Sequence, residues 1–155
     1  ILARAPQVFG GYLADAPAPA AAFHEGWFRT GDMGVREPDG HIRLVDRIKE
    51  IIITGGFNVY PGEVEEALTS HPDIAQAAVV GTPRSDGSED VAACVVLSPG
   101  VRLDEAALRE HCRGLLARYK VPQRFFAMDK LAGDQLGKLR RRDVRRDLLA
   151  RLHRD

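Results

Sequence analysis

The sequence predicts an α+β fold from about residue 50 onward, in which a small three-stranded sheet is covered by helices. Two apolar runs, residues 74–80 and 91–97, are short, rich in β-branched side chains and bounded by turns, as buried strands are. Residues 61–70, 104–119 and 140–153 repeat apolar side chains at helical spacing. Residues 124–129 predict the third strand, and residues 81–90 predict a polar loop between the first two.

The composition of the chain excludes several classes of protein. The 155 residues carry 22 basic and 22 acidic side chains, and this balance argues against a nucleic-acid binder that works by bulk charge. Apolar residues make up 45% of the chain, enough for a core without disulfides or metal. No apolar run approaches the ~18 residues of a membrane span. Two cysteines without paired spacing, Cys94 and Cys112, argue against a disulfide framework or a zinc site and indicate a cytoplasmic protein.

The first part of the chain predicts loops and short strands. Residues 1–30 are rich in glycine, alanine and proline and do not form a core alone. Residues 33–45 predict a hairpin around the turn at 38–40, and residues 51–54 predict a short strand that ends at Gly55 and Gly56. Because the chain begins at Ile1 without a methionine or a signal peptide, we expect it to start inside a larger protein.

Local signals mark the ends of the predicted helices. Pro61 suits the first position of a helix, and Glu63 places negative charge near its positive end. Residues 71–72 end that helix, and Asp104 is placed to cap the next one. The apolar faces expected for the second and third helices are Leu108, Cys112, Leu115 and Tyr119, and Val144, Leu148 and Leu152.

Three segments carry residues suited to chemistry. Asp32 follows a glycine turn, where a carboxylate can accept two hydrogen bonds from a vicinal diol such as a ribose, or simply cap the turn. Arg47 offers a planar fork for phosphate or hydroxyl oxygens, or a surface ion pair with Asp46 or Glu50. Lys138 follows a glycine ahead of an arginine-rich helix, where it either swings into a partner's site or remains solvated.

The glycine pair Gly55-Gly56 lies between the short strand and the helix that begins at Pro61. Adjacent glycines allow a ligand to approach the backbone closely, or they supply positive φ angles for a turn. No Gly-Lys-Ser or Gly-Lys-Thr follows them, so the segment is not a P-loop.

These segments together resemble the adenylate-forming superfamily, which comprises acyl-CoA synthetases, non-ribosomal peptide adenylation domains and firefly luciferase. Residues 27–32 are similar to the Tyr/Trp-x-x-Thr-Gly-Asp motif of that family. Residues 46–65 are similar to its Asp-Arg-x-Lys…Gly-Phe-x-Val-x-Pro-x-Glu-x-Glu motif. Residues 119–122 and 137–138 are similar to its Tyr-Lys-x-Pro and Gly-Lys motifs. The four motifs occur in the family's order, and their residues are most similar to those of fatty-acyl and related acyl-CoA ligases.

The resemblance implies an AMP-forming acyl-CoA ligase with two half-reactions. A carboxylate attacks the α-phosphate of ATP to give acyl-AMP and pyrophosphate, and the thiol of CoA then displaces AMP. In this family pattern Asp32 holds the ribose hydroxyls, Arg47 contacts the same nucleotide, and Lys138 reaches the acyl carboxylate and the α-phosphate. Lys49 matches the hinge residue, and the glycine pair at 55–56 matches the tunnel for the CoA arm.

The resemblance also implies a division into domains. Residues 1–46 match a β-rich C-terminal remnant of the large N-terminal domain, residues 47–155 match the C-terminal lid domain, and the hinge is expected near 46–49. The family's phosphate loop and its magnesium-binding glutamate belong to the large domain and are absent here, so Mg²⁺ is expected in the parent enzyme, bound by that domain. The isolated chain is expected to be inactive, with the large domain, ATP or AMP, an acyl carboxylate and CoA as its partners.

Two other functions stay open at this point. The lid motifs also serve adenylation domains that load the thiol of a carrier protein instead of CoA. The arginine-rich last helix offers a non-enzymatic binding module, but Asp143 and Asp147 interrupt its charge and no aromatic residues are interleaved for stacking on bases, so no nucleic-acid partner is expected. Self-association of the fragment, through surface that the large domain would cover, is a further expectation.

Overall fold

A computed structural model describes residues 1–8, 21–133 and 138–153 of the chain. The chain divides into two compact units, Ile1–Lys49 and Glu50–Asp155. The predicted division at 46 and 47, with its hinge near 46–49, stays a prediction. Within the described ranges, no helix is long and apolar enough to cross a membrane.

The first unit is built from short strands. Strands β1 (Leu2–Ala3), β2 (Phe23–His24) and β3 (Trp27–Arg29) form an antiparallel sheet in the order β1-β3-β2. Strands β4 (Asp32–Arg36) and β5 (Ile42–Arg47) form an antiparallel hairpin. Gly40 closes the turn of this hairpin at a φ of +90°, and its N–H donates to the carbonyl of Glu37 over 2.9 Å. The hairpin predicted at 33–45 is therefore confirmed.

The second unit is an α+β domain, as predicted. A small antiparallel pair, β6 (Ile52–Thr54) and β7 (Phe57–Val59), precedes helix α1 (Pro61–Thr69). Strands β8 (Ile74–Pro83), β9 (Glu89–Leu97) and β10 (Arg124–Ala127) form the main sheet in the order β10-β9-β8. Helix α2 (Glu105–Leu115) joins β9 to β10, which pair in parallel, and helix α3 (Arg141–Leu152) follows. A parallel pair needs a crossover connection of this kind.

The main sheet buries both of its faces. On one face α1, α2 and the β6–β7 pair pack over β8 and β9, with Val64, Val79 and Cys112 among the buried side chains. On the other face α3 packs through Val144 and Leu148. Because alternate residues of a strand point to opposite faces, both faces need apolar side chains, and the strands are continuous apolar runs.

Local signals explain the helix ends. Pro61 occupies the first turn of α1, and the carboxylate of Asp104 caps α2 by accepting from the N–H of Ala107 over 3.0 Å. The prediction for the end of α2 is wrong, because the helix stops at Leu115, which is 58% exposed. Tyr119 lies beyond that end, in a 3₁₀ turn (Arg118–Lys120), so it does not share the helix face of Leu108 and Cys112.

Two further strand predictions needed correction. Residues 81–90 are not all loop, because β8 continues to Pro83 and β9 begins at Glu89, with Thr82 buried. Strand β7, which pairs with β6, was not predicted. In both cases the segment contains polar or glycine residues that interrupt the apolar pattern, although its backbone pairs with a neighbouring strand.

Candidate functional site

Asp32 and Arg47 lie opposite each other at the end of the β4–β5 hairpin. They are paired residues of the two strands, and Nε of Arg47 lies 3.1 Å from Oδ1 of Asp32. The carboxylate is partly buried, while the arginine is exposed. The neighbouring carboxylate of Asp46 accepts the backbone N–H of Arg47 over 2.8 Å. The guanidinium of Arg47 is thus directed to the carboxylate across the hairpin.

The loop before Asp32 sets its direction. Gly31 has a φ of +76°, which an L-residue rarely adopts, and its carbonyl accepts the N–H of Ile48 over 2.9 Å. The hydroxyl of Thr30 accepts the N–H of Asp32 over 3.0 Å. The Thr-Gly-Asp sequence thus forms a fixed corner that places a carboxylate beside a guanidinium, an arrangement that can contact a diol and an anion together.

Lys49 lies in a 3₁₀ turn (Ile48–Glu50) that directly follows β5. The boundary between the two compact units falls immediately after it, between Lys49 and Glu50. The role of Lys49 as a hinge residue stays a prediction, although its position at the junction is the one a hinge requires.

Gly55 and Gly56 form the two-residue turn that joins β6 to β7. Their φ angles are +54° and +82°, and Thr54 pairs with Phe57 across the turn. Positive φ at both central positions is typical of a type I′ turn, whose twist suits a hairpin. The pair therefore has a structural reason to be glycine. An added Cβ on either residue would meet nothing within 4 Å, so the backbone of this turn is also open to approach.

An aromatic pair lies beside that turn. The rings of Phe57 and Tyr119 stack with centroids 4.6 Å apart, and Phe57 is 54% exposed. The next residue, Lys120, places Nζ 2.6 and 2.7 Å from the two carboxylate oxygens of Glu63. The Tyr-Lys-x-Pro segment is thus held in two places. Tyr119 stacks on the glycine hairpin, and Lys120 pairs with a glutamate at the start of α1.

Lys138 lies at the base of a loop ahead of α3. Residues 134–137, including Gly137 of the Gly-Lys motif, lie outside the described residues. The ends of the loop are joined by a bridge between Gly133 and Leu139, and the N–H of Arg140 donates to the carbonyl of Ala132 over 3.0 Å. Lys138 itself is exposed.

Arg141, the first residue of α3, makes two ion pairs that sequence reasoning missed. Its Nε and Nη2 lie 2.7 and 2.6 Å from the two oxygens of Glu65, and its Nη1 lies 2.5 Å from Glu50. Glu65 is only 13% exposed, and it also accepts the N–H of Val79 over 2.9 Å. Both residues belong to segments that the sequence singles out, since Glu65 is a motif glutamate and Arg141 follows the Gly-Lys motif, but nothing in the sequence indicates that they meet.

A second ion pair, between Arg145 and Glu89, lies one turn further along α3. Nη2 of Arg145 lies 2.7 Å from Glu89, whereas Nε of Arg145 is buried with no partner among the described atoms. Gly81 makes room for this carboxylate, because an added Cβ there would come within 2.6 Å of it. Arg146 pairs with Asp143 over 3.0 Å. Several arginines of α3 are therefore engaged within the chain, which weakens the case for a nucleic-acid surface on this helix.

The cysteines offer no reactive thiol. Cys94 and Cys112 are both free and fully buried. Burial raises the pKa of each thiol from its ordinary value of 9.0 to about 11. Among the described residues, no group of three or more histidine, cysteine, aspartate or glutamate side chains is placed to hold a metal ion.

The structure thus brings some predicted residues together and shows neighbours that the sequence did not. Asp32 and Arg47 form one pair within the first unit. In the second unit, Glu65 and Arg141 link the glycine-hairpin motif to the segment that follows Lys138. Within each unit, residues from motif segments that are apart in the sequence are thus in contact with each other.

Comparison with known proteins defines the class. Residues 63–138 match the AMP-binding enzyme C-terminal domain. The predicted resemblance to the adenylate-forming superfamily and the predicted fold class are confirmed.

The relatives are CoA ligases. The chain is 44% identical over 146 residues to 2-succinylbenzoate–CoA ligase of Geobacillus kaustophilus, covering 94% of this chain and 30% of that enzyme. It is 42% identical over 142 residues to long-chain-fatty-acid–CoA ligase of Bacillus subtilis, covering 92% of this chain and 25% of that enzyme. The chain therefore corresponds to a C-terminal fragment of such ligases, spanning less than a third of their length.

A solved structure agrees with this assignment. The o-succinylbenzoate CoA synthetase of Bacillus subtilis, in complex with its acyl-adenylate intermediate, superposes with a TM-score of 0.82 at 35% identity, covering 95% of this chain and 29% of that one. The same enzyme in complex with ATP and a magnesium ion gives a TM-score of 0.80 at 36% identity, covering 92% of this chain and 29% of that one.

Proposed function

We propose that this chain is the C-terminal part of an AMP-forming acyl-CoA ligase and works together with a large N-terminal domain. The observation that carries the proposal is its likeness, over 94% of its length, to the C-terminal part of a CoA ligase. The geometry supports it, because the residues expected to contact a nucleotide, the partly buried Asp32 and the exposed Arg47, lie side by side.

The residues divide the work in the following way. Asp32 binds the ribose hydroxyls, and Arg47 beside it contacts the nucleotide and holds the carboxylate in place. Lys138 enters the site during adenylation and offsets the negative charge that gathers between the acyl carboxylate and the α-phosphate. A positioned cation stabilises such charge strongly when the site excludes water, because the surrounding dielectric is low.

The second half-reaction uses the other end of the lid. Rotation about Lys49 withdraws Lys138 and presents the turn at Gly55 and Gly56 to the CoA arm. That turn suits the role because its backbone carries no side chain to block a narrow ligand. Rotation of this kind completes one catalytic arrangement at a time.

Other components come from outside this chain. Mg²⁺, which the o-succinylbenzoate enzyme holds together with ATP, would be bound by the large domain. The acyl pocket lies there as well, and the relatives named above act on different acids, so a fatty acid is one candidate substrate among several. The two free thiols, Cys94 and Cys112, are in keeping with a reaction in the cytoplasm.

A chimera tests the proposal. The chain replaces the corresponding C-terminal part of the Geobacillus 2-succinylbenzoate–CoA ligase, and each half-reaction is measured separately. Lys138→Ala should slow pyrophosphate release from ATP and 2-succinylbenzoate by roughly 10²–10³-fold, while thioester formation from preformed acyl-AMP stays within about threefold. The exposed Lys130→Ala serves as the matched control and should change neither rate.

Three results would contradict the proposal. A folded wild-type chimera without ligase activity would remove its basis. Equal losses in both half-reactions would show that Lys138 has a different role. Thioester formation by the isolated chain from ATP, CoA and an acid would show that no large domain is needed.

A further inference from the structure

The start of α3 is held by a contact that joins three separate segments. Arg141 forms a two-pronged ion pair with Glu65 on α1 and a third contact with Glu50, at distances of 2.5–2.7 Å. Its side chain is 20% exposed. Because the guanidinium is planar and its donors have a fixed geometry, this contact fixes orientation as well as distance.

Lys138 lies only three positions before this contact. Between them, Leu139 is bridged to Gly133, and the N–H of Arg140 donates to the carbonyl of Ala132. The backbone that follows Lys138 is therefore held first at the loop base, through Leu139 and Arg140, and then by Arg141. On the far side of the ion pair, Glu50 is the residue directly after Lys49.

We propose that Arg141 is a positioning residue for Lys138, an inference that rests on the proposed function. Through Glu50 and Glu65 it makes the segment after Lys49, helix α1 and the start of α3 move as one body. Rotation about Lys49 then carries Lys138 to a fixed place rather than to a range of places. Accuracy of this kind matters because a misplacement of about 1 Å costs on the order of 10²-fold in rate.

The rest of α3 does not depend on this ion pair. Val144 and Leu148 are buried against the sheet, and Arg145 contacts Glu89 one turn later. Loss of the two-pronged ion pair between Arg141 and Glu65 should therefore loosen the first turn of α3 and the loop base, while the rest of the helix stays packed against the sheet. This separates a positioning role from a general contribution to stability.

Two conservative variants in the chimera test the inference. Arg141→Lys keeps the charge but loses the fork, and it should slow adenylation by roughly 10–100-fold while thioester formation from preformed acyl-AMP changes by less than about threefold. Arg145→Lys is the matched control for a structural tie on the same helix, and it should leave the ratio of the two half-reactions unchanged. The exposed Arg142→Lys should change neither rate.

Hydrogen exchange on the chain itself gives a readout that does not need the ligase. The amide of Arg140, whose N–H is bonded to Ala132, should exchange at least tenfold faster in Arg141→Lys than in wild type or Arg142→Lys. An unchanged Arg140 amide, an unchanged half-reaction ratio, or the same ratio change in Arg145→Lys would overturn the inference. If the wild-type chimera is inactive the proposed function fails, and the exchange result still decides whether Arg141 holds the loop base.

Discussion

Leu148→Ala should strongly destabilise the second unit, because Leu148 lies at the centre of the contact between α3 and the sheet. Its side chain has no exposed surface, and it packs in one cluster with Ala78, Ala92 and Cys94. These neighbours are small and belong to strands that are hydrogen-bonded within the sheet, so they cannot move in to fill the space that the substitution leaves.

The expected loss lies within the range known for buried leucines. Leu→Ala changes cost about 2.7–5.0 kcal/mol, with larger values where the cavity does not collapse. We therefore expect a loss of roughly 3–5 kcal/mol in the free energy of unfolding. The control is Leu115→Ala, at a leucine that is 58% exposed, which should stay within about 0.5 kcal/mol of wild type.

Urea unfolding followed by far-UV circular dichroism measures this loss, because helices α1, α2 and α3 all belong to the second unit. The single tryptophan, Trp27, lies in the first unit, and its fluorescence follows that unit separately. A loss below about 1 kcal/mol, or an equal loss in Leu115→Ala, would refute the packing described for α3. A changed slope with urea would point to a changed unfolded state instead.

Three further predictions concern glycines and thiols. Gly56→Ala should destabilise the chain by about 1–2 kcal/mol because its φ is +82°, whereas Gly114→Ala, inside α2, should stabilise it by about 0.5–1 kcal/mol; urea unfolding of both variants checks the opposite signs. Cys94 and Cys112 should resist iodoacetamide at pH 8.5 in the native chain and react at once in urea, since burial raises the pKa of each thiol to about 11. Because the native pKa lies above the unfolded one, this contribution to stability is complete below pH 9.0 and is lost as the pH rises through about 11, so urea midpoints that do not fall over that window would contradict it.

The sequence predicted the elements whose signals are local. Pro61 and Asp104 mark helix starts through their own backbone and capping chemistry, and both helices begin where these residues predict. The buried strands were predicted because a sheet covered on both faces needs continuous apolar runs. The end of α2 was missed, since Tyr119 continues the helical spacing although the helix has already stopped at Leu115.

The candidate site was predictable as a set of residues but not as a set of contacts. Motif residues such as Asp32 and Lys138 could be named from spacing and resemblance. The pairing of Glu65 with Arg141 could not, because two residues far apart in the chain carry no local sign that they meet. Such pairs depend on the whole topology, here on where α3 crosses the sheet.

A sheet that is buried on both faces has no solvent side to fix its register. If β8 slipped by one residue against β9, the apolar side chains of β8 would move to the opposite face of the sheet. They would still lie in an apolar layer there, so hydrophobicity alone would not oppose the change of register. Steric features must oppose it instead. The turn between the strands is closed by hydrogen bonds from Arg84 to Ser88 and from Gly87 to Arg84. Gly81 faces the Glu89 carboxylate at a distance that a side chain would occupy, so Val80 or Thr82 could not take its place. The turn at residues 84–88 and the absence of a side chain at Gly81 thus favour the observed register over other registers that would bury the same apolar side chains.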